Sequence, residues 1–210
     1  MAKSELIARQ SAHPTGLLGH VVARVMALDT ARANRRVLEV LEPKPGERVL
    51  ELGCGHGRTL GRVARLVAPG LAAGVDPSEV MRGIARSRNR SWIEAGTARV
   101  EAGDSANVPW PDGSFDKVFS VHTLYFWPDL GAGLREIRRV LREDGELLLA
   151  FHPKENAEIT RSLPASVYSL RSRGEVEAEL ERSGFRDATI PIDAATGLAL
   201  ANARARRETR

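Results

Sequence analysis

VLELGCGHGRTL (residues 49–60) is the stretch whose reading decides the fold. Arg48–Leu52 reads as a short apolar strand, and Gly53, Gly55 and Gly57 as a loop where the backbone turns tightly and a ligand meets no Cβ. Leu60, Val63, Ala64 and Val67 then recur at helical spacing. A helix entered in this way turns its N-terminal N–H groups and the positive end of its dipole toward the loop, which favours a carboxylate or phosphate. A plain strand-to-helix turn reads the same, so the loop alone names no ligand. A dinucleotide fingerprint runs GxGxxG, but the sixth position counted from Gly53 is Arg58. A nicotinamide-dependent oxidoreductase is therefore a second reading that lacks its third glycine.

Outward from the loop the chain keeps alternating. Pro69-Gly70 ends the first helix, Leu71–Val75 is a strand running into Asp76, and Pro77-Ser78 opens a helix carrying Val80, Met81 and Ile84. Ala98–Glu101 is a weak strand before Gly103-Asp104, and Lys117–Val121 is the next. A helix from Gly131 to Arg142, a turn at Asp144-Gly145 and a strand Glu146–Phe151 follow. Strands separated by such helices mean βαβ crossovers and a mostly parallel sheet covered on both faces. Beyond the helix Glu175–Arg182, ended by Gly184, the candidate strands Asp187–Ile192 and Leu198–Ala203 are too close for a helical crossover. They read as an antiparallel hairpin closing the sheet edge. The expected fold is thus α/β and Rossmann-like, with seven strands.

In such sheets ligands bind beyond the carboxyl ends of the strands. Asp76, after the second strand, suits the two hydroxyls of a ribose and any adenosine-type ligand. Asp104, near Val108 and Trp110, suits an adenine amino group beside an apolar slot, although a loop cap and a core tryptophan read the same.

Together these residues resemble the class I S-adenosylmethionine-dependent methyltransferases. The likeness is to the type 11 group, which includes the ubiquinone/menaquinone-biosynthesis C-methyltransferases. It rests on VLELGCGHGRTL (49–60), AGVDPSEVM (73–81), VEAGDSANVPWPDGSFDKVFSVHTLYFWPD (100–129) and LREIRRVLREDGELLL (134–149), and more loosely on YSLRSRGEVEAELERSGF (168–185). Four motifs in order are far more specific than any one. The resemblance implies S-adenosylmethionine as cofactor and S-adenosylhomocysteine as product. It implies that Glu51, Gly53 and Gly55 hold the methionine portion and that Asp76 binds the ribose. Asp104 would contact the adenine amino group with Ser105 beside it, and Pro77 and Met81 would border the ring. Pro77 stands where a branched apolar residue is expected. The backbone of His122 would face the cofactor's amino group.

The sulfonium carries the activation, so the protein must align the acceptor and exclude water. A base is needed only if the nucleophile loses a proton. His122 is the preferred candidate, with His152 and His56 on the same edge; each is also readable as a polar lining residue. Tyr125, Phe126 and Trp127 suggest an apolar wall for a small-molecule acceptor. An amino-methylating nucleic-acid enzyme would carry Asn/Asp-Pro-Pro-aromatic where this chain reads Ser120-Val121-His122-Thr123. A cytosine-C5 enzyme would carry a cysteine after proline, whereas Cys54 follows Gly53. An RNA enzyme of another type and a non-catalytic cofactor-binding protein stay open.

The bulk numbers bound the rest. The 210 residues fit one domain by the prior of about 100–200 residues. Residues 1–42 form a helical lead-in that reads as a lid, with Leu17, Leu18, Val21, Val22, Val25 and Met26 in period and Gly16 and Gly19 as hinges. After a break near Asp29-Thr30, Val37, Val40 and Leu41 follow the same rule, and residues 43–210 form the cofactor-binding domain. One cysteine excludes an internal disulfide, and no histidines, His13 and His20 included, have metal-ligand spacing. No apolar run approaches the roughly 20 residues of a membrane span. No secretory signal opens the chain, so a cytoplasmic monomer or homodimer is expected. Lys and Arg number 31 against 27 Asp and Glu. Arg82, Arg86, Arg90 and Arg135, Arg138, Arg139, Arg142 recur at helical spacing as solvated faces, too dispersed for a nucleic-acid footprint.

Overall fold

Alternation of side chains along the first strand sets the layers. The computed structural model describes Glu5, Ala8, Pro14 and residues 30–206. The sheet holds β1 (Arg48–Leu52), β2 (Leu71–Asp76), β3 (Ala98–Ala102), β4 (Phe115–Val121) and β5 (Leu141–Phe151), then β6 (Phe185–Thr189) and β7 (Ala199–Ala205). Its order is β3-β2-β1-β4-β5-β7-β6. β1 pairs in parallel with β2 and β4, β2 with β3, and β4 with β5. β7 is antiparallel to both β5 and β6, so it alone among the described strands is reversed.

The helices are α1 (Ala31–Leu41), α2 (Arg58–Val67), α3 (Glu79–Arg88), the short α4 (Arg90–Glu94), α5 (Leu130–Val140), α6 (Ala157–Ser162) and α7 (Arg173–Arg182). Val49 points to the layer where Val37 and Leu41 of α1, Leu60 and Val63 of α2 and Ala85 of α3 are buried. Leu50 and Leu52 point the other way, onto Leu134 and Ile137 of α5 and Val176 and Leu180 of α7. Period-2 alternation on the strands and period-3.6 stripes on the helices produce both layers.

The order of the strands places the site. From β1 the chain steps outward through β2 to β3, then returns to β4 on the far side of β1. The crossovers diverge at that switch point and leave a crevice above the carboxyl ends of β1 and β4.

Three expectations shift. The fifth strand begins at Leu141, so α5 stops at Val140, before the expected Arg142. Leu141 is buried as a helix end or as a strand start, and periodicity cannot separate the two; pairing with Phe115 decides it. The Asp144-Gly145 turn survives as an irregularity inside β5, with Asp144 at φ 60°. In the expected hairpin β6 ends at Thr189, because Pro191 has no N–H for the ladder, and a single bridge joins Ile192 to Ala199. The apolar period at residues 17–26, the hinges at Gly16 and Gly19 and the histidines His13 and His20 lie outside the described residues. No helix among the described residues is long and apolar enough to cross a membrane.

Candidate cofactor and acceptor site

The loop after β1 is held open by close packing on two sides. Gly53 has φ 76°, and a Cβ there would overlap the side-chain methyl of Thr123. Gly57, the N-cap of α2 at φ 72°, would carry a Cβ 2.6 Å from Asn89 Nδ2 and 2.8 Å from Ala85 Cβ. Side chains at either place would push α3 or the β4 loop away. A Cβ at Gly55 would meet nothing within 4 Å, because the space above it belongs to a cavity of about 440 Å³.

Three carboxylates stand around this cavity. Glu51, the penultimate residue of β1, is 5 % exposed, and its Oε2 is buried without a hydrogen-bond partner among the described residues. Burial pushes its pKa well above the usual carboxylate range; the charge of Asp76 adds to this, and the Leu60 backbone N–H opposes it. Asp76 ends β2, with Oδ2 accepting from Gly55 N–H at 2.8 Å and Oδ1 from Ser78 N–H at 2.9 Å. A carboxylate has about four lone-pair sites, and these two bonds orient Asp76 at the cavity it borders. Ser78 caps α3 by accepting from Met81 N–H at 3.3 Å, and its hydroxyl donates to the Pro14 carbonyl at 2.6 Å. Pro14, Pro77 and Met81 all border the cavity. In the loop after β3, Asp104 is exposed, and its Oδ1 accepts from Ala106 and Asn107 N–H at 2.8 and 3.0 Å. Asp104 therefore caps its own loop as well as facing the cavity, with buried Ser105 next to it.

The carboxyl end of β4 supplies the opposite wall. His122 adopts a left-handed φ of 58° and donates its N–H to the Ala150 carbonyl at 2.9 Å. Its Nδ1 lies 3.2 Å from the Tyr125 hydroxyl, which accepts from the His152 backbone N–H at 2.5 Å. The His122 and His152 rings are 5.1 Å apart. The structure thus brings the two histidines together, but of the pair only His122 borders the cavity. His152 Nδ1 is buried without a partner among the described residues, and burial lowers its pKa. His56 also borders the cavity; burial, then Arg88 and Arg58, lower its pKa to about 4, so it is neutral at pH 7. Phe126, Trp127 and Pro128 form the apolar wall, whereas Tyr125 is buried behind it.

All nine residues expected at the site border one cavity: Glu51, Gly53, Gly55, Asp76, Pro77, Met81, Asp104, Ser105 and His122. Sequence reasoning missed Thr123, Thr59, Thr30 and Asn34, which also border it. Thr123 was within reach of the strand-end rule, being two residues past β4. Thr30 and Asn34 sit at the start of α1 and carry no such signal.

The donor set fits S-adenosylmethionine. An unpartnered buried carboxylate oxygen suits an ammonium group, and an oriented carboxylate beside an open glycine suits a ribose diol. A pyrophosphate in the same place would face the Asp76 carboxylate. Residues 50–149 match a family model described as a methyltransferase domain. Nocamycin O-methyltransferase of Saccharothrix syringae is 37 % identical over 115 residues, covering 54 % of this chain and 40 % of that protein. The 27-O-demethylrifamycin SV methyltransferase of Amycolatopsis mediterranei (strain S699) is 31 % identical over 166 residues, covering 74 % of this chain and 60 % of its own length. The chain thus spans only 40–60 % of these two curated relatives. A solved SAM-dependent methyltransferase from Aquifex aeolicus shares the fold at a TM-score of 0.68 and 23 % identity, over 81 % of this chain and 88 % of that one. Residues 50–149 thus carry a methyltransferase domain of the type 11 family, on the class I S-adenosylmethionine-dependent methyltransferase fold, with S-adenosylmethionine as its cofactor.

Proposed function

We propose that this protein transfers the methyl group of S-adenosylmethionine to a hydroxyl of a small, largely apolar acceptor. The observation that carries the cofactor half is the buried, unpartnered Oε2 of Glu51, a residue that borders the same cavity as Asp76 and Gly55. The acceptor half rests on the wall of Phe126, Trp127 and Pro128, and on the relatives named for O-methyl transfer or for an O-demethyl substrate. A cytoplasmic setting fits the single, buried Cys54.

The bound cofactor supplies an activated methyl group on a sulfonium, and the chain's residues position what surrounds it. Glu51 accepts hydrogen bonds from the ammonium group. Gly53 and Gly55 let the methionine portion lie against the backbone. Asp76 accepts from the ribose hydroxyls, Asp104 from the adenine amino group with Ser105 beside it, and Pro77 and Met81 flank the ring. The His122 carbonyl faces the ammonium side. The His122 imidazole, oriented by Tyr125, is placed to take the proton of an acceptor hydroxyl. Phe126 and Trp127 hold the acceptor's apolar body and keep water out, so that most of the rate comes from alignment.

Calorimetric titration with S-adenosylhomocysteine tests this reading, with NAD as a parallel titrant. Binding of the sulfur ligand with a micromolar constant is expected. Asp76→Ala is expected to weaken it at least about tenfold, as a lost charge-assisted pair of bonds implies. Folded protein that ignores the sulfur ligand, or binds NAD instead, would overturn the reading.

A further inference from the structure

We propose that Thr123 is the positioning residue that keeps the acceptor wall in register with the cofactor loop, its methyl bracing Gly53 and its hydroxyl fixing Trp127. The assignment of the two sides rests on the function proposed above; the contacts do not.

Thr123 borders the cavity directly after His122. Its methyl occupies the space that a Cβ at Gly53 would need, so the glycine loop leans on it. Its hydroxyl lies 3.2 Å from the Trp127 indole nitrogen and in hydrogen-bond contact with Ser120 Oγ. Ser120, 2 % exposed, donates in turn to the Leu52 carbonyl at 2.8 Å. The ends of this chain set its direction. An indole N–H can only donate and a carbonyl can only accept. Trp127 therefore donates to Thr123, Thr123 to Ser120 and Ser120 to Leu52, with each proton used once.

Trp127 carries the connection further. A Cβ at Gly133 of α5 would lie 2.8 Å from Trp127 Cε3 and 3.2 Å from Ser105 Cβ, so the indole is wedged between α5 and the loop after β3. One threonine and one indole thus join the loops that follow β1, β3 and β4. These loops hold opposite ends of the reacting pair, and methyl transfer depends on their alignment to within about half an ångström.

Two substitutions separate the two arms. Thr123→Val keeps a methyl and removes the hydroxyl; Thr123→Ser does the reverse. The readouts are S-adenosylhomocysteine affinity by calorimetry and the indole N–H resonance of Trp127, identified by its absence in Trp127→Phe. Thr123→Val is expected to move that resonance in the free protein while binding the ligand nearly as tightly as wild type. The ligand should shift the resonance in wild type and no longer in Thr123→Val. Thr123→Ser is expected to leave the free-protein resonance in place and to weaken binding roughly three- to tenfold, the cost of one buried methyl. An unmoved resonance in Thr123→Val, or equal losses of affinity in both variants tracking a drop in Tm, would overturn the proposal. Wild-type protein that fails to bind the ligand would refute the cofactor reading, and the free-protein resonance would still decide the hydroxyl contact.

Discussion

At the scale of single residues, Glu51 is the most informative side chain in the molecule. It sits on the penultimate position of a central strand, where a buried carboxylate with an unpartnered oxygen is costly for folding. Its pKa lies above the usual 4.5, chiefly through desolvation. Between the ordinary and the raised value the native protein binds more protons than the unfolded chain, so this residue makes stability fall as pH rises through that window. Glu51→Gln is expected to raise the Tm of the free protein at pH 7 by a few degrees, with the gain vanishing below about pH 4.5. The same change is expected to weaken S-adenosylhomocysteine binding, because an amide offers the ammonium group no charge. Thermal melts from pH 4 to 8 beside calorimetry check both, and a Tm at pH 7 that falls with affinity would contradict the account.

At the scale of elements, the edge of the sheet opposite the site is held by one buried lysine. Lys117 of β4 donates to the Leu41 and Glu42 carbonyls at 2.6 and 3.0 Å, the orphan acceptors at the end of α1. Its ammonium also lies 3.6 Å from Glu47 and from Glu146. Replacing Lys117 by Met would leave two carbonyls and two carboxylates without their common cation. Destabilisation of about 2–4 kcal/mol is expected from urea melts. S-adenosylhomocysteine affinity should stay unchanged, since the strand's other end makes the site; an affinity loss beyond about twofold would show that α1 transmits strain to the cavity. α1 has its opposite end at the cavity through Thr30 and Asn34, which gives that control its meaning. The far edge is managed differently. On β3, Arg86 of α3 donates through Nε and Nη2 to the Val100 carbonyl at 3.2 and 2.7 Å, covering an acceptor that no neighbouring strand reaches.

For the molecule as a whole, cofactor binding and folding are linked, because the cavity is assembled from four strand ends and exists only in the folded chain. A ligand that binds only the native state stabilises it by about 2.7 kcal/mol at one hundred times its Kd. For a chain of this size that corresponds to a rise in Tm of about 5–10 °C. Saturating S-adenosylhomocysteine is expected to give a shift of that order in wild type and a much smaller one in Asp76→Ala. Equal shifts in the two proteins would mean that the ligand binds elsewhere.

What the sequence determined by itself is whatever depends on local period and local backbone geometry. β1 and the glycine loop, the helix stripe of Leu60, Val63 and Val67, and the strand ends at Asp76 and His122 follow from alternation, helical spacing and positive φ. The rule that ligands sit past strand ends pointed to the loop after β1, to Asp76 and to Asp104, and the family resemblance supplied the full set of nine residues that border the cavity. Tertiary structure decided where long-range pairing chooses between equal local options. Leu141 is a strand start and not a helix end because Phe115 pairs with it. That His122 and not His152 borders the cavity, and that Tyr125 stands behind the wall, depend on how β4 and β5 lie side by side. Asp104 caps its own loop and also borders the cavity, two positions with one sequence signature. Thr123 falls under the strand-end rule, but what it does there has no signature in the sequence. Its role comes from Gly53 and Trp127 reaching it from different loops, and contacts between loops are written only in the packing of the folded chain.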